Sequence, residues 1–405
     1  MDQIIDPSSL EAGHIAYLRG IPAAVEALDM HGMADVVNAL VVALLTEGHV
    51  LLEGNPGLGK TALVRALSSA LGLGRQAVGR VQFTPDLMPA DITGTQMPAD
   101  DGSGRLAFSP GPVFCSLLLA DEINRATPKT QSAMLEAMAE YQVTVLGKTY
   151  PLRHWREAGR QSYRTPFMVM ATQNPIDQEG TYALPEAQSD RFMFKINLSM
   201  PGAEVMGRII AKALKPLDAA QQRQGTAEDP VQVAAAGARL HEIAQSVLSV
   251  GLSPLVLDHI NNLVQASNRH FDQLRGIGPA RVSGLRELVE RRVTYPLGPR
   301  AGMALARAAV GWAAAVLVEP AQAGHATTAQ TPRALAEILV PVLRHRIRIS
   351  HDYAAMATPH AEAAALDDFI RELAVACAPD GPPAAGRYVE DFANFLDRAR
   401  KDIRL

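Results

Sequence analysis

Apolar positions recur three and four residues apart from Ile21 to Leu28 and again from Met33 to Leu45, which predicts two helices broken at Gly32. From residue 49 to 200 the period alternates. Short apolar and β-branched runs at 49–53, 79–83, 116–121, 167–172 and 193–198 predict buried strands, and helix-like spacing fills the stretches between them. Such alternation predicts an α/β sheet sandwiched by helices. After Pro201 Ala, Leu and Arg dominate, and helical spacing covers 203–215, 231–247, 253–270, 280–292, 300–318, 332–346, 359–377 and 387–402. Thr331 before Pro332 reads as an N-cap followed by proline at the first helical position. The expected organisation is an α/β domain with N-terminal helices over 1–200, a linker over 201–230 and an all-α domain with a helical tail over 231–405. Further linkers are suggested at 320–331 and 378–386.

Two stretches interrupt the alternation. Thr84 to Val113 is rich in Pro, Asp and Gly, and Val143 to Pro166 opens as a hairpin with its turn near Gly147. Both are long for plain connections, and long inserts in compact domains are often functional surfaces.

The 405 residues suit two or three domains, and 48% hydrophobic against 20% charged residues gives material for a sizeable core. The formal net charge of -4 argues against a dedicated nucleic-acid binder. Cys115 and Cys377 lie far apart with no metal-ligand spacing, so neither a disulfide framework nor a zinc site is expected. The N-terminus lacks the basic and apolar regions of a signal peptide, and no run of about 18 apolar residues predicts a membrane span. A soluble cytoplasmic protein is the expectation.

The chemistry starts at Gly54-Asn55-Pro56-Gly57-Leu58-Gly59-Lys60-Thr61, the G-x-x-x-x-G-K-[ST] pattern of a P-loop. It follows an apolar run, Val50 to Leu52, and precedes an amphipathic one, so it joins a strand to a helix. There, backbone N–H groups and the helix N-terminus cradle phosphates, Lys60 reaches the β- and γ-phosphates, and the Thr61 hydroxyl binds Mg²⁺. The apolar run Ser116 to Ala120 ends in Asp121, placed to hold the metal, and Glu122, placed to polarise an attacking water. A third apolar run ends in Thr172, Gln173 and Asn174, and the Asn174 amide offers both donor and acceptor to a lytic water or the γ-phosphate. Arg191, just before the last strand, is a candidate finger for transition-state charge, with an ion pair to Asp190 or Glu186 as the alternative.

This series resembles the AAA+ ATPases, and within them the MoxR family. The resemblance rests on Gly54 to Thr61, Val81 to Asp86, Asp91 to Gly94, Leu118 to Arg125, Lys129 to Ser132, Ala171 to Pro175 and Leu184 to Phe192. It is dense over about residues 30–200 and thin in the helical half. It implies a P-loop AAA+ αβα sandwich with a five-stranded parallel sheet and an all-α lid. It also implies an ATP- and Mg²⁺-dependent ATPase that forms a homo-oligomeric ring, usually a hexamer, and acts as a chaperone-like activator or remodeler. Such partners often carry a von Willebrand factor A domain. A nucleotide-gated scaffold with little turnover, a DNA motor and a chelatase subunit are the alternatives. By position, Asp121 and Glu122 become the Walker B pair, Asn174 sensor 1, Arg191 the finger acting in trans, and Arg300 sensor 2 acting in cis, with Arg275 and Arg281 as rivals for that last role. His31-Gly32-Met33 falls where the family lines the adenine site. Extra sequence at 153–164, with Trp155, and an Arg-rich addition at 276–295 depart from the pattern.

Overall fold

The computed structural model describes residues 10–55, 57–98, 106–174, 181–213, 229–322, 328–350, 359–380, 387–403 and 405. Two helices, α1 (Ala12–Glu26) and α2 (Ala34–Leu45), precede the first strand. Five strands form the central sheet: β1 (Val50–Glu53), β2 (Val78–Gln82), β5 (Leu117–Asp121), β10 (Met168–Gln173) and β11 (Phe194–Asn197). Their order is β11-β1-β10-β5-β2, and every pairing is parallel. The expected αβα core is therefore present, with each strand boundary within a residue or so of its predicted place.

The strands read as continuous apolar runs because both faces of the sheet are covered. Side chains alternate between the faces. Val50, Leu52, Leu117, Leu119, Met168, Met170, Phe194 and Ile196 join one buried cluster, with α1, α2, α3 (Lys60–Leu71) and the helical half. Leu51, Leu118, Ala120, Val169 and Ala171 join the other, against α5 (Pro128–Glu140) and the short α4 (Pro89–Thr93).

The two inserts are β-hairpins. In the first, β3 (Gly94–Pro98) pairs with β4 (Leu106–Pro110). In the second, β6 (Gln142–Val145) pairs with β7 (Lys148–Pro151) about a Leu146-Gly147 turn, where φ is positive at both residues, as a two-residue hairpin of this kind requires. The extra sequence at 153–164 forms another hairpin, β8 (Trp155–Ala158) with β9 (Gln161–Arg164).

After the four-residue α6 (Glu186–Ser189) and β11, helix α7 covers Ala203–Ala213. The helical half then runs α8 (Pro230–Ser249), α9 (Pro254–Ser267), α10 (Pro279–Arg292), α11 (Pro299–Trp312), α12 (Thr331–Leu343), α13 (Pro359–Cys377) and α14 (Tyr388–Asp402). Of the linker expected over 201–230, residues 203–213 form α7 and residues 214–228 lie outside the described residues.

The expected helical half is present and carries one short addition: β12 (Val293–Tyr295) pairs antiparallel with β13 (Arg348–Ile349), two strands too short to show a period. Two expectations need correction. Thr331 is not the N-cap. Gln330 holds that position, and the buried Thr331 hydroxyl instead donates to Thr328 O and accepts from Ser253 N–H. The helix expected over 300–318 is α-helical only to Trp312 and then widens into a π-turn, Ala313–Leu317. The stretch Pro299–Leu317 is long and apolar enough to cross a membrane by length and composition, but 61% of it is buried within the fold.

Candidate functional site

Parallel strands deliver their C-terminal ends to one edge of the sheet. β1 leads there into Gly54, β10 into Asn174, and β5 into Asp121 and Glu122. The order of the strands, rather than any local signal, brings these three segments together.

The glycines of the first segment serve close approach. A Cβ on Gly54 would stand 2.8 Å from Leu198 O, and Gly57 and Gly59 hold φ of 85° and 74°. Pro56 lies outside the described residues; Asn55 is exposed and Leu58 half-buried. Gly59 caps α3, whose first residues are Lys60 and Thr61. The Lys60 ammonium donates to Gly54 O at 2.6 Å. Burial is the larger effect and pulls its pKa down, against the opposing charges of Asp121, Glu122 and Glu53. The turn between α1 and α2 abuts the same loop, with Met30 Cε 3.6 Å from where a Gly59 Cβ would stand. His31 faces Glu26 and Asp29 there.

The two acids are held by a closed circuit of hydrogen bonds. Asp121 Oδ1 accepts from Thr172 Oγ1 at 2.7 Å, and Thr172 Oγ1 accepts from Glu122 N–H at 2.8 Å. Asp121 Oδ2 accepts from Arg80 at 2.9 Å. Arg80 also donates to Gln82 Oε1, and Gln82 donates to Glu122 Oε2, both at 2.9 Å. Arg125 donates to that same Glu122 oxygen at 3.1 Å. Glu122 has φ of 57°, a left-handed conformation that a non-glycine residue adopts at a cost.

Sequence reasoning gave Arg80, Gln82, Thr172 and Arg125 no role. Residues 80 and 82 share one side of β2 by the two-residue period, and Gln82 stands in register with Asp121. Knowledge of the β2–β5 pairing would have exposed them.

A hard divalent cation fits this edge. Thr61 and Asp121 offer only oxygen, and no group of three or more His, Cys, Asp or Glu among the described residues forms a cage of its own. Such a donor set suits Mg²⁺ completed by water and phosphate oxygens. A cleft of about 980 Å³ opens beside Thr61 between α3 and β2, lined in part by Arg65, Ser68, Arg75 and Arg80.

Arg191 lies elsewhere. It precedes β11, and so stands at the N-terminal edge of the sheet, away from the P-loop. It donates to Leu135 O, and its buried Nε has no hydrogen-bond partner among the described residues. Among the described residues neither alternative ion pair is present: Asp190 pairs with Arg346 and Glu186 with Arg348.

Arg300 is not among the residues that the structure brings to the P-loop. α11 runs along the N-terminal edge, where Arg307 donates to Thr46 O at 3.4 Å and a Cβ on Gly311 would stand 2.8 Å from Val42 Cγ1. Arg300 opens this helix, and its charge acts on Arg346, which grips the residues before β11. The P-loop abuts Leu198, beyond the opposite end of that strand. The rivals are engaged within the helical half, Arg275 with Asp258 and Arg281 with Asp380.

Residues 49–194 match the ATPase family associated with various cellular activities (AAA). Chaperone MoxR1 of Mycobacterium tuberculosis is 37% identical over 323 residues, which is 79% of this chain and 73% of that protein. YeaC of Bacillus subtilis is 49% identical over 172 residues, 42% of this chain and 49% of YeaC, so the match spans about half of that relative. MoxR of Paracoccus denitrificans is 36% identical over 178 residues, 42% of this chain and 47% of that protein. A solved chain from Cytophaga hutchinsonii, named for a proposed ATPase activity, superposes with a TM-score of 0.65 at 29% identity, covering 88% of this chain and 95% of its own.

Proposed function

Because the chain belongs to the MoxR family of AAA+ ATPases, we propose that it hydrolyses Mg²⁺·ATP in sites completed between subunits of a homo-oligomeric ring, with a hexamer as the expected size. The observation that carries this reading is the split of the charged machinery. Lys60, Thr61, Asp121, Glu122 and Asn174 lie toward one edge of the sheet and Arg191 at the other, with Arg300 on a helix that contacts that other edge at Thr46 and close enough to act on Arg346 there. Two arginines on the far edge reach the phosphates of another copy more readily than those of their own chain.

On this reading the P-loop N–H groups and Lys60 bind the β- and γ-phosphates. Bound Mg²⁺ neutralises charge across those phosphates. Thr61 and Asp121 would hold the ion, with Arg80 yielding one Asp121 oxygen to it. Glu122 must leave Gln82 and Arg125 to accept a proton from the attacking water, and Asn174 orients that water. Arg191 of the neighbour meets the charge that develops on the γ-phosphate, and Arg300 acts from the same side, in trans.

The work done is the remodelling or activation of a partner protein in a cytoplasmic setting, with a von Willebrand factor A domain as the expected partner type. The name of MoxR1 as a chaperone supports the first part of this. So do the hairpins. Phe108 stacks on Tyr150 with ring centroids 3.9 Å apart, which joins β3–β4 and β6–β7 into one unit. Met97, Leu106 and Leu146 are exposed on that unit, 79% in the case of Leu146, and offer apolar contact to a client chain.

Turnover per subunit measured against protein concentration tests the proposal. It should rise steeply as rings form, and Glu122→Gln should bind ATP yet abolish the rise. A concentration-independent rate, or a wild-type rate no better than that of Glu122→Gln, would sink it.

A further inference from the structure

The segment that carries Arg191 is gripped by one residue from the distant helical half. Arg346 follows the end of α12, and only 2% of its side chain is exposed. Its Nε donates to Asp190 Oδ1 at 2.8 Å. One terminal nitrogen donates to Asp190 O and Phe192 O at 3.0 and 2.5 Å. The other donates to Met193 O at 3.1 Å and to Val342 O. All five N–H donors of the guanidinium are thus used, and four of them hold the residues on either side of Arg191. His345 adds a bond to Phe192 O at 2.8 Å. Arg344 clamps Asp367 and reaches Lys195 O at 3.3 Å in the following strand.

A burial this complete is expensive for a guanidinium. It pulls the Arg346 pKa down to about 10, against the opposing pull of Asp190, yet the group keeps its charge at neutral pH. Anchoring helix to sheet needs no such group, since apolar side chains do it at lower cost. The fork instead fixes the direction of one short backbone turn. A lysine carries the charge but lacks the planar fork that bonds several acceptors at once.

We propose that Arg346 is a positioning residue for Arg191: it sets the Asp190–Met193 turn so that the guanidinium between its anchors, once it leaves Leu135 O, reaches a neighbouring subunit's nucleotide. This rests on reading Arg191 as the finger. It makes the end of α12 the part of the helical half that arms the finger, so a shift of that helix changes hydrolysis in the adjoining site and leaves the chain's own nucleotide binding alone.

Subunit mixing tests it. Arg346→Lys rings should lose turnover at least tenfold, with KM and the affinity for a fluorescent ATP analogue within about twofold of wild type. Added Lys60→Ala subunits bind no nucleotide but present an intact finger, so they should restore turnover to the Arg346→Lys P-loops beside them. Arg191→Ala mixed with Lys60→Ala is the companion arm. Failure of that arm to recover overturns the finger reading itself. Recovery there without recovery for Arg346→Lys overturns the role of Arg346 alone, as does an Arg346→Lys ring with wild-type turnover. Should Arg346→Lys not assemble, Asp190→Asn, which removes the carboxylate and leaves the carbonyl acceptors, is read by the same mixing outcomes.

Discussion

One hydroxyl, that of Thr172, positions both acids at the C-terminal edge of the sheet: it donates to the Asp121 carboxylate and accepts from the Glu122 backbone. Valine would keep the shape and remove both bonds. A lost bond to a charged group is worth about 1.5–3 kcal/mol. Thr172→Val should therefore lower kcat about tenfold or more, with nucleotide affinity nearly unchanged, as steady-state kinetics and equilibrium binding will show. Two buried histidines make a second residue-scale prediction. His49 bonds Met138 O and Val169 N–H, and His259 bonds Tyr388 and Ala374 O. Burial is the first cause that pulls each pKa down to about 4. Each imidazole is neutral in the folded chain and protonates near 6.5 in the unfolded one, so the unfolded state binds more protons below that pH. Stability should be intact above about pH 6.5 and fall as pH drops toward 4, by about 3 kcal/mol per histidine over the whole range. Denaturant titrations at pH 7 and 4.5 check the sign; equal midpoints would refute it.

The residues legible in the sequence were those whose role follows from their own neighbours. Lys60 sits in a contiguous Gly-rich motif, and Asp121, Glu122 and Asn174 lie at the ends of apolar runs that could be read as strands. Arg80 and Arg346 were illegible, because their partners come from another strand and another helix. The surroundings of Arg300 were illegible for the same reason: a motif resemblance finds a helix start but not the side of the sheet on which the helix lies.

At the scale of elements, the β8–β9 hairpin ties the helical half to the start of β10. Trp155 lies edge-on to His241 of α8, at 5.6 Å between centroids, and Tyr163 packs where a Cβ on Gly237 would come within 2.5 Å of its ring. Gly237→Ala should force the ring aside and destabilise the protein by about 1–3 kcal/mol, the usual range for overpacking. Tyr163→Ala should cost stability alone but add less than its own cost to Gly237→Ala, a coupling that a double-mutant cycle by urea unfolding will measure. The β6–β7 hairpin was readable from Leu146-Gly147 and its alternation. The β8–β9 hairpin was not, because Tyr163 is its one fully buried side chain and a period of two needs a buried face to show.

At the scale of the whole molecule, one hydrophobic cluster crosses from the sheet into the helical half. It runs from Val50, Met170 and Ile196 through Val42 and Leu45 to Leu305, Trp312, Leu339 and Phe392. Trp312 is buried within it, and its indole N–H donates to Glu337 at 2.6 Å. Two domains that share a core should unfold together, whereas separate cores commonly give separate transitions. With Trp155→Phe removing the other of the chain's two tryptophans, Trp312 fluorescence and far-UV circular dichroism should report one midpoint in urea. Two midpoints would mean that the helical half is an independent unit.

With Glu122 as the proposed base, its left-handed backbone sets stability against activity. Glycine adopts that conformation freely, so Glu122→Gly should tolerate the turn better than the native residue while losing the carboxylate. A population of variants selected for heat resistance alone would tend to drift away from glutamate there, and only a selection that demands turnover would keep it.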